Sequence, residues 1–282
     1  MNQSPGREFL RSCWKNRNFV IGFIIVSSLL FAAAFADVIT PYDYDEPHKQ
    51  DRLHAPSLQY PFGTDDFGRD MFSRIIYGVR ITLQIAAIGV TIQLVLGVTV
   101  GLLCGFFGGV VDRVLMFIAD ITWCIPGMVL ALAVVTLLGK GLTNSIIAIS
   151  IVNWAQYART VRAKTMSIKN MAFIETGVAF GERAPALMFR YILPNVVPAL
   201  IVMISTQLPS TIVSTTALSF LGLGSQPPSP DWGLALSNGV SYLNRAPWLS
   251  IFPGLALVYT VFGFNLLGEG LRDLLDPRMQ SM

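Results

Sequence analysis

Residues 81–107 read ITLQIAAIGVTIQLVLGVTVGLLCGFF, a run without a single charged side chain. A helix needs about 20 mostly apolar residues to cross the hydrocarbon core of a bilayer, so this stretch predicts a transmembrane helix. Glycine recurs at every fourth position, at Gly97, Gly101, Gly105 and Gly109, with Gly89 in phase before them. That spacing places small residues on one helical face, which another helix can approach closely.

The rest of the chain has the composition of a membrane protein. It has 282 residues, of which 53% are hydrophobic and 13% charged, and its mean hydropathy is +0.57. Soluble domains carry about 25% charged residues. The net charge of +3 is too small to indicate binding to nucleic acid. The three cysteines are widely spaced and odd in number, which indicates neither a disulfide framework nor a metal site.

Six windows are apolar enough to be membrane spans. They are residues 19–36, 81–107, 114–138, 142–157, 196–217 and 249–268, of which the fourth is the shortest. The predicted fold class is therefore an all-α polytopic membrane bundle of six transmembrane helices. Most of the 20 basic residues fall in the inner segments if the N-terminus is cytoplasmic, whereas the first outer loop is acidic. This asymmetry predicts that both termini are cytoplasmic.

The spans suggest a division of the chain into three parts. Residues 1–18 are predicted to form a short helix in the cytoplasmic membrane interface, because their apolar side chains share one face and basic side chains flank it. Those apolar residues are Phe9, Leu10, Cys13 and Trp14. A solvated tail is the alternative. Residues 19–78 hold the first span and its outer loop, and residues 79–282 hold a core of five spans with a cytoplasmic loop at about 165–195.

That cytoplasmic loop interrupts the apolar pattern with the sequence FIETGVAFGERAPALMFRYILPN, residues 173–195. Its charged side chains are Glu175, Glu182, Arg183 and Arg190. The stretch predicts a short helix on which Gly177 and Gly181 lie one turn apart and let a partner's backbone approach. Pro194 is predicted to mark where the chain bends back into the fifth span. A helix tethered between two spans is well placed to receive a push from a soluble partner.

The fifth span carries a polar face. Thr206, Ser210 and Ser214 follow one four-residue stripe, and Gln207, Thr211 and Thr215 follow the next. Pro209 predicts a kink among them. Two interpretations stay open for this face. It either makes ordinary hydrogen bonds to a neighbouring helix or contributes to the lining of a wet translocation path.

For the other ionisable residues in or near the spans and in the outer loop, structural roles are predicted. Asp120, within the third span, is a candidate functional group, but a structural position near Arg113 is favoured. Glu269 and Arg272 are predicted to form a local pair. The histidines of the acidic outer loop, His48 and His54, are interpreted as loop residues rather than metal ligands.

The sequence lacks the motifs of several enzyme classes. It has no phosphate-cradling GxxxxGK[ST] loop, no HExxH and no nucleophile–base pair. The chain is therefore predicted not to be an enzyme and to hold no cofactor. Energy for uphill transport would come from another protein or from an ion gradient.

Several motifs resemble one family. Glu175, Thr176, Gly177, Gly181 and the LPN of residues 193–195 are similar to the cytoplasmic coupling loop of ABC importer permeases. Thr176 and Gly177 depart from the usual pair of alanines, and Tyr191 replaces a frequent histidine. More specific are FGTDDFGRDMFSRIIYGVR (62–80), LSFLGLGSQPPSPDWG (218–233), APW (246–248), PG (253–254) and FNLLGEGLRDLLDPR (264–278). Together they resemble, over nearly the whole chain, the dipeptide/oligopeptide/nickel importer permeases, in particular the second permease of the pair.

The resemblance implies a type I ABC importer permease fold in the inner membrane. The chain would form half of a translocation path for short peptides, with nickel or a metal chelate as the alternative cargo. An ion-coupled secondary transporter is the alternative from another class. The implied partners are a second, homologous permease, two cytoplasmic ATPases that bind ATP and Mg²⁺, an extracytoplasmic solute-binding protein and the lipid membrane, with no nucleic acid.

Two sets of residues are predicted to carry the function. Coupling to the ATPase is assigned to Phe173, Glu175, Thr176, Gly177, Gly181, Glu182, Arg190 and Pro194. A contribution to the path is assigned to Thr206, Gln207, Ser210, Thr211 and Ser214.

Overall fold

Helices make up nearly all of the structure, a computed structural model that describes residues 12–275. The helices are α1 Arg17–Ala34, α2 Ala36–Ile39, α3 Met71–Phe107, α4 Gly109–Cys124, α5 Gly127–Leu138, α6 Leu142–Lys169, α7 Ala172–Ala179, α8 Ala184–Phe220, α9 Trp232–Val240 and α10 Trp248–Leu275. Within α8, Leu187–Ile192 is π-helical. Between residues 12 and 275 no strand forms, and one antiparallel bridge joins Thr64 to Asp70. The all-α prediction is confirmed.

Within residues 12–275, four helices are long and apolar enough to cross a membrane, namely α1, α3, α8 and α10. Helices α4 and α5 pass that test only together, and they meet at an angle of 98°. Helix α6, which contains the predicted fourth span, does not pass it, because polar residues such as Asn144, Asn153 and Gln156 lower its hydropathy. Six transmembrane helices therefore stay a prediction, and the third predicted span, residues 114–138, is broken between α4 and α5.

The break between α4 and α5 is a proline effect. Pro126 has no N–H to donate, and its ring disfavours a helical conformation in the residue before it. Ile125 is accordingly extended, with φ −92° and ψ 133°, and Pro126 caps the start of α5. Hydropathy hid this break because it measures the polarity of side chains and not the direction of the backbone.

The glycine face of α3 packs against α6. A side chain at Gly97 would place its Cβ 2.3 Å from the Cβ of Tyr157, and one at Gly105 would lie 2.6 Å from the Cβ of Thr165. Gly101 is equally tight, since its Cβ would lie 2.6 Å from the carbonyl oxygen of Ala158. Real side chains are not found this close, so the backbones of α3 and α6 touch here. The predicted close packing is confirmed at these three glycines.

Gly109 does not belong to that face. Helix α3 ends at Phe107, and the next two residues, Gly108 and Gly109, have φ angles of +65° and +56°. A Cβ at either glycine would meet nothing within 4 Å. These residues form the turn into α4, so the prediction of close packing is wrong for Gly109.

Helix α1 is seated on α10 by a second set of close approaches. A Cβ at Gly22 would lie 2.3 Å from the backbone nitrogen of Leu267, and one at Gly263 would lie 2.2 Å from Cγ2 of Ile25. Asn16 caps α1 by accepting a hydrogen bond from the backbone N–H of Phe19. Residues 12–15 are helical, but most of the predicted interfacial helix, including Phe9 and Leu10, lies outside the described residues.

The contact between α3 and α6 predicts the effect of a single methyl group. Gly101→Ala would drive Cβ into the carbonyl oxygen of Ala158 and into Val161, and such overpacking costs about 1–3 kcal/mol. We expect a lower melting temperature for the purified protein in detergent. The control is Gly254→Ala, where the added Cβ would meet only Leu236, at 3.8 Å. Because alanine has a higher helix propensity than glycine, this variant should be as stable as the wild type or more stable. Equal melting temperatures for both variants would contradict close packing.

Candidate functional site

Helix α7 connects α6 to α8, and its inner face is buried. Ile174 is 2% exposed and belongs to a core cluster with Leu102, Tyr157 and Met188. Gly177 is also buried, and a Cβ there would lie 2.9 Å from Cδ2 of Leu187. The glycine therefore lets α7 pack closely on α8 of the same chain. The prediction that Gly177 faces a partner is wrong.

Gly181 lies outside α7, which ends at Ala179. Its φ is +79°, and the backbone N–H groups of Gly181 and Glu182 donate to the carbonyls of Val178 and Gly177, at 2.9 and 3.0 Å. This pair of bonds is the Schellman motif that ends many helices, with glycine in the left-handed conformation. A shared face with Gly177 is therefore wrong, because Gly181 turns the chain instead of continuing the helix.

Pro194 lies inside α8, so the chain does not bend back there as predicted. A proline within a helix leaves the carbonyl four residues earlier without its usual N–H partner. Here the preceding turn is widened, and the N–H of Leu193 donates to the carbonyl of Met188, five residues back. The side-chain amide of Asn195 donates to the carbonyl of Tyr191 at 2.7 Å. The chain reverses earlier, between α7 and Ala184.

The outward side of this connection is a mixed apolar and polar surface, which we call the α7 surface. It consists of Phe173, Glu175, Thr176, Val178 and Phe180, all exposed. Phe180, beside the turn at Gly181, is 85% exposed. Exposed apolar groups bordered by polar ones are typical of interaction sites. The sequence interpretation missed Val178 and Phe180, although the spacing of buried Ile174 and Gly177 could have placed both opposite the core.

Glu182 and Arg190 lie beside the α7 surface and contact Tyr191. The Tyr191 hydroxyl donates to Glu182 at 3.4 Å, and the Arg190 guanidinium lies 5.9 Å from the centre of the Tyr191 ring. Both predicted coupling residues are thus close to α7 but belong to the turn and the π-helical segment that follow it.

The polar residues of α8 divide into an inner and an outer group. Thr211 and Thr215 are buried, and the Gln93 side chain of α3 donates to the Thr211 hydroxyl at 3.2 Å. Gln207 and Ser214 are partly buried, whereas Thr206 and Ser210 are exposed. The inner group thus makes an interhelical hydrogen bond, and the exposed hydroxyls form a separate stripe.

Two ion pairs hold α4 to α6. Arg162 binds both carboxylate oxygens of Asp112, with Nη2 at 2.6 Å. Asp120 accepts from Arg159 at 2.7 Å, and the Arg159 guanidinium lies 4.4 Å from the centre of the Trp123 ring. Asp120 thus pairs with Arg159 and not with Arg113 as predicted, and its structural role stays a prediction.

The predicted pair of Glu269 and Arg272 is not formed. Glu269 accepts from Asn18 at 3.3 Å, and no ion pair joins it to Arg272. The ring of His48 packs against Tyr42 and Tyr60. Within residues 12–275 no group of His, Cys, Asp or Glu has the arrangement of a metal site.

At its N-terminal end, α3 is joined to two loops by a buried arginine. Arg74 is 4% exposed, and its guanidinium donates to the carbonyls of Tyr44 and Ser229, both at 2.9 Å. The indole N–H of Trp232 donates to the carbonyl of Ile75 at 3.1 Å. The loop of residues 40–70 and the segment after α8 therefore form one unit over the end of α3.

Two protein-family models match this chain. The family described as "Binding-protein-dependent transport system inner membrane component" matches residues 97–281. The N-terminal transmembrane domain of oligopeptide transport permease C matches residues 4–61.

Curated relatives match nearly the whole chain. The dipeptide transport system permease protein DppC of Alkalihalophilus pseudofirmus is 42% identical over 99% of this chain and 91% of its own length. The glutathione transport system permease protein GsiD of Pectobacterium atrosepticum is 40% identical over 99% of this chain and 93% of its own length. GsiD of Escherichia coli O6:K15:H31 is also 40% identical, over 99% and 92%.

A solved structure has the same fold. A chain of the MetNI methionine ABC transporter, in an inward-facing conformation, superposes with a TM-score of 0.57 at 19% identity, covering 72% of this chain and 97% of that one. The fold is therefore the type I ABC importer permease fold. This multi-pass membrane protein belongs to the binding-protein-dependent transport permease family, whose members are the non-enzymatic membrane subunits of ABC transporter complexes.

Proposed function

We propose that this chain is one of two permease subunits of an ATP-driven, binding-protein-dependent importer of short peptides. The observation that carries the substrate class is the full-length match to permeases named for dipeptide and glutathione transport. Nickel or a metal chelate is not favoured, because neither name refers to a metal. An ion-coupled secondary transporter is not favoured either, because the family works within ABC transporter complexes.

The α7 surface is the proposed docking site for one of two cytoplasmic ATPases, which would bind ATP and Mg²⁺. Its exposed apolar side chains, Phe173, Val178 and Phe180, supply area that a partner can bury. Glu175 and Thr176 lie between them and could hydrogen-bond to that partner. In this proposal Phe173, Glu175 and Thr176 contact the ATPase, as predicted from the sequence. Gly177 and Gly181 instead shape the connection between α7 and α8.

The inner face of α7 supports its role as a lever. Ile174 packs in one cluster with residues of α3, α6 and α8, and α7 has a close approach to Leu187 in α8. Because packed interiors resist compression, a displacement of α7 would move the inner ends of α6 and α8 with it. ATP-driven closure of the two ATPases would in this way alternate access to the path.

The exposed hydroxyls of α8 are the proposed contribution to that path. Thr206 and Ser210 are exposed in this chain, and a hydroxyl face directed at lipid would gain nothing. A second, homologous permease would supply the opposite wall. Gln207 and Thr211 support this stripe from behind, since Thr211 is bound to Gln93 of α3.

The proposed location is the inner membrane, with both termini in the cytoplasm. The support is the distribution of basic residues, because α6 ends in Arg162, Lys164 and Lys169 on the side where α7 lies. The loop of residues 40–70 and α9 would then face the extracytoplasmic solute-binding protein.

Truncating Phe180 tests the docking surface. Phe180→Ala should leave the fold intact, because the side chain is 85% exposed. It should weaken ATPase copurification and substrate-stimulated ATP hydrolysis at least about fivefold, as loss of an aromatic anchor does at interfaces. The matched control is Leu137→Ala, which shortens an apolar side chain that is 87% exposed, at the end of α5 and outside both the α7 surface and the loop of residues 40–70. Wild-type hydrolysis and copurification in Phe180→Ala would refute docking through this surface.

The role of the turn at Gly181 can be tested with substitutions that differ in how well they tolerate its positive φ angle. Gly181→Val places a β-branched residue at φ +79°, which costs about 1–2 kcal/mol and should disorder the end of α7. We expect reduced stimulation of the ATPase with normal membrane insertion. Gly181→Asn is the control, because asparagine tolerates the left-handed region. If valine and asparagine give the same stimulated hydrolysis, the turn has no part in coupling.

A bulky residue tests the path. Ser210→Leu would fill and dry a polar passage, so peptide uptake in reconstituted vesicles should fall by about tenfold or more with the complex still assembled. Val197→Leu adds bulk at an exposed apolar position on another side of α8 and should leave uptake unchanged. Normal uptake by Ser210→Leu would assign the exposed stripe to packing.

A further inference from the structure

An open groove of about 750 Å³ lies on the outer face, between the loop of residues 40–70 and α9. We call it the outer groove. The residues that matter here are Asp45, Asp66 and Arg69 on the loop side and Ser237, Asn238 and Ser241 on the α9 side. None of the predicted path residues of α8 is among its lining residues.

The walls of the groove are held in place by buried contacts. Arg74 binds the carbonyls of Tyr44 and Ser229 and so joins the two sides. Asp231 caps α9 by accepting from the backbone N–H of Leu234 at 2.8 Å. A groove built on such contacts exists before any ligand arrives, which lowers the entropic cost of binding.

The charges on the loop side are unevenly compensated. Arg69 binds Asp65 at 2.7 Å and Asp45 at 3.1 Å, and Asp65 also lies 3.9 Å from Arg74. Asp66, the remaining carboxylate, has no ion pair and no hydrogen bond from another side chain in the part of the chain described. Partial burial and the nearby charge of Asp65 raise the pKa of Asp66. The charges of Arg69 and Arg52 lower the pKa of Asp66 to a smaller extent, but within residues 12–275 neither arginine forms an ion pair with it.

The opposite wall supplies neutral hydrogen-bonding groups. The side chains of Ser237, Asn238 and Ser241 line the groove, and among residues 12–275 none of them has a side-chain hydrogen bond to another residue. The Asp66 carboxylate and the side-chain oxygens of this wall can all accept hydrogen bonds, so together they can bind a positively charged group with several N–H donors. Lysine and arginine side chains have that chemistry.

We propose that the outer groove receives a lysine or arginine side chain of the extracytoplasmic solute-binding protein, with Asp66 as its counter-ion. This inference rests on the proposed function, which supplies that partner. A protein side chain fits better than transported peptide, because the groove is formed by outer loops and by α9 and includes no exposed hydroxyl of α8. Asp66 would thus contribute to orienting the binding protein over the permease pair.

The test is the affinity of the binding protein for the complete transporter. The probe is the purified binding protein of the same transporter, loaded with its solute, and the transporter is held in lipid nanodiscs. Asp66→Asn should raise the Kd about tenfold and weaken its dependence on salt, since an attraction between opposite charges is lost. Glu46→Gln is the matched control, because it removes the same charge from an exposed position in the same loop outside the groove. Equal affinities of Asp66→Asn and the wild type would overturn the proposal.

A second variant keeps the proposal testable if Asp66→Asn fails to assemble. Asn238→Arg introduces a positive charge from the opposite wall, at an exposed position, and should weaken binding at least as much. Unchanged affinity of Asn238→Arg would also overturn the proposal. If the wild-type transporter itself does not bind the binding protein, the proposed function fails. An effect of Asp66→Asn on peptide stimulation with an unchanged Kd would assign the groove to peptide and refute a side-chain socket.

Discussion

The contact between the backbones of α3 and α6 is the constraint on which the rest of the structure depends. At Gly97, Gly101 and Gly105 no side chain separates the two helices, and added Cβ atoms would overlap α6. In a membrane, apolar side chains gain little by leaving lipid, so close packing is a main source of helix association. Because α6 shares its surface with α3, α5 and α8, it can carry more polar residues than a helix that faces lipid.

This contact also determines how α7 is seated at one end of the bundle. Tyr157 of α6 and Leu102 of α3 form part of the cluster that receives Ile174 of α7. The short helix is thus seated on the same pair of helices that forms the centre of the molecule. Its opposite side remains exposed, with Phe180 at the turn. One side of α7 is therefore packed into the bundle, while the other side stays exposed.

The same helix α3 extends to the opposite end of the bundle, where the loop of residues 40–70 and α9 lie. Its 37 residues correspond to about 55 Å at 1.5 Å per residue, which is longer than the hydrocarbon core of a bilayer. The extra length carries Arg74 to the loops around the outer groove. Both candidate binding surfaces, at α7 and at the outer groove, are therefore positioned by one rigid element.

The sequence by itself determined the membrane class, the close-packing face of α3, the interruption between the fourth and fifth apolar windows, and the family. These properties depend on polarity, glycine spacing and short motifs, which are local along the chain. Only the tertiary structure decided that Gly177 is buried against Leu187, that Gly181 ends α7, and that the chain continues through Pro194. It also decided that Asp120 pairs with Arg159 and that Thr211 faces Gln93 while Ser210 stays exposed. A glycine, a proline or a hydroxyl has the same local pattern in either role, and its role depends on which distant residue lies beside it.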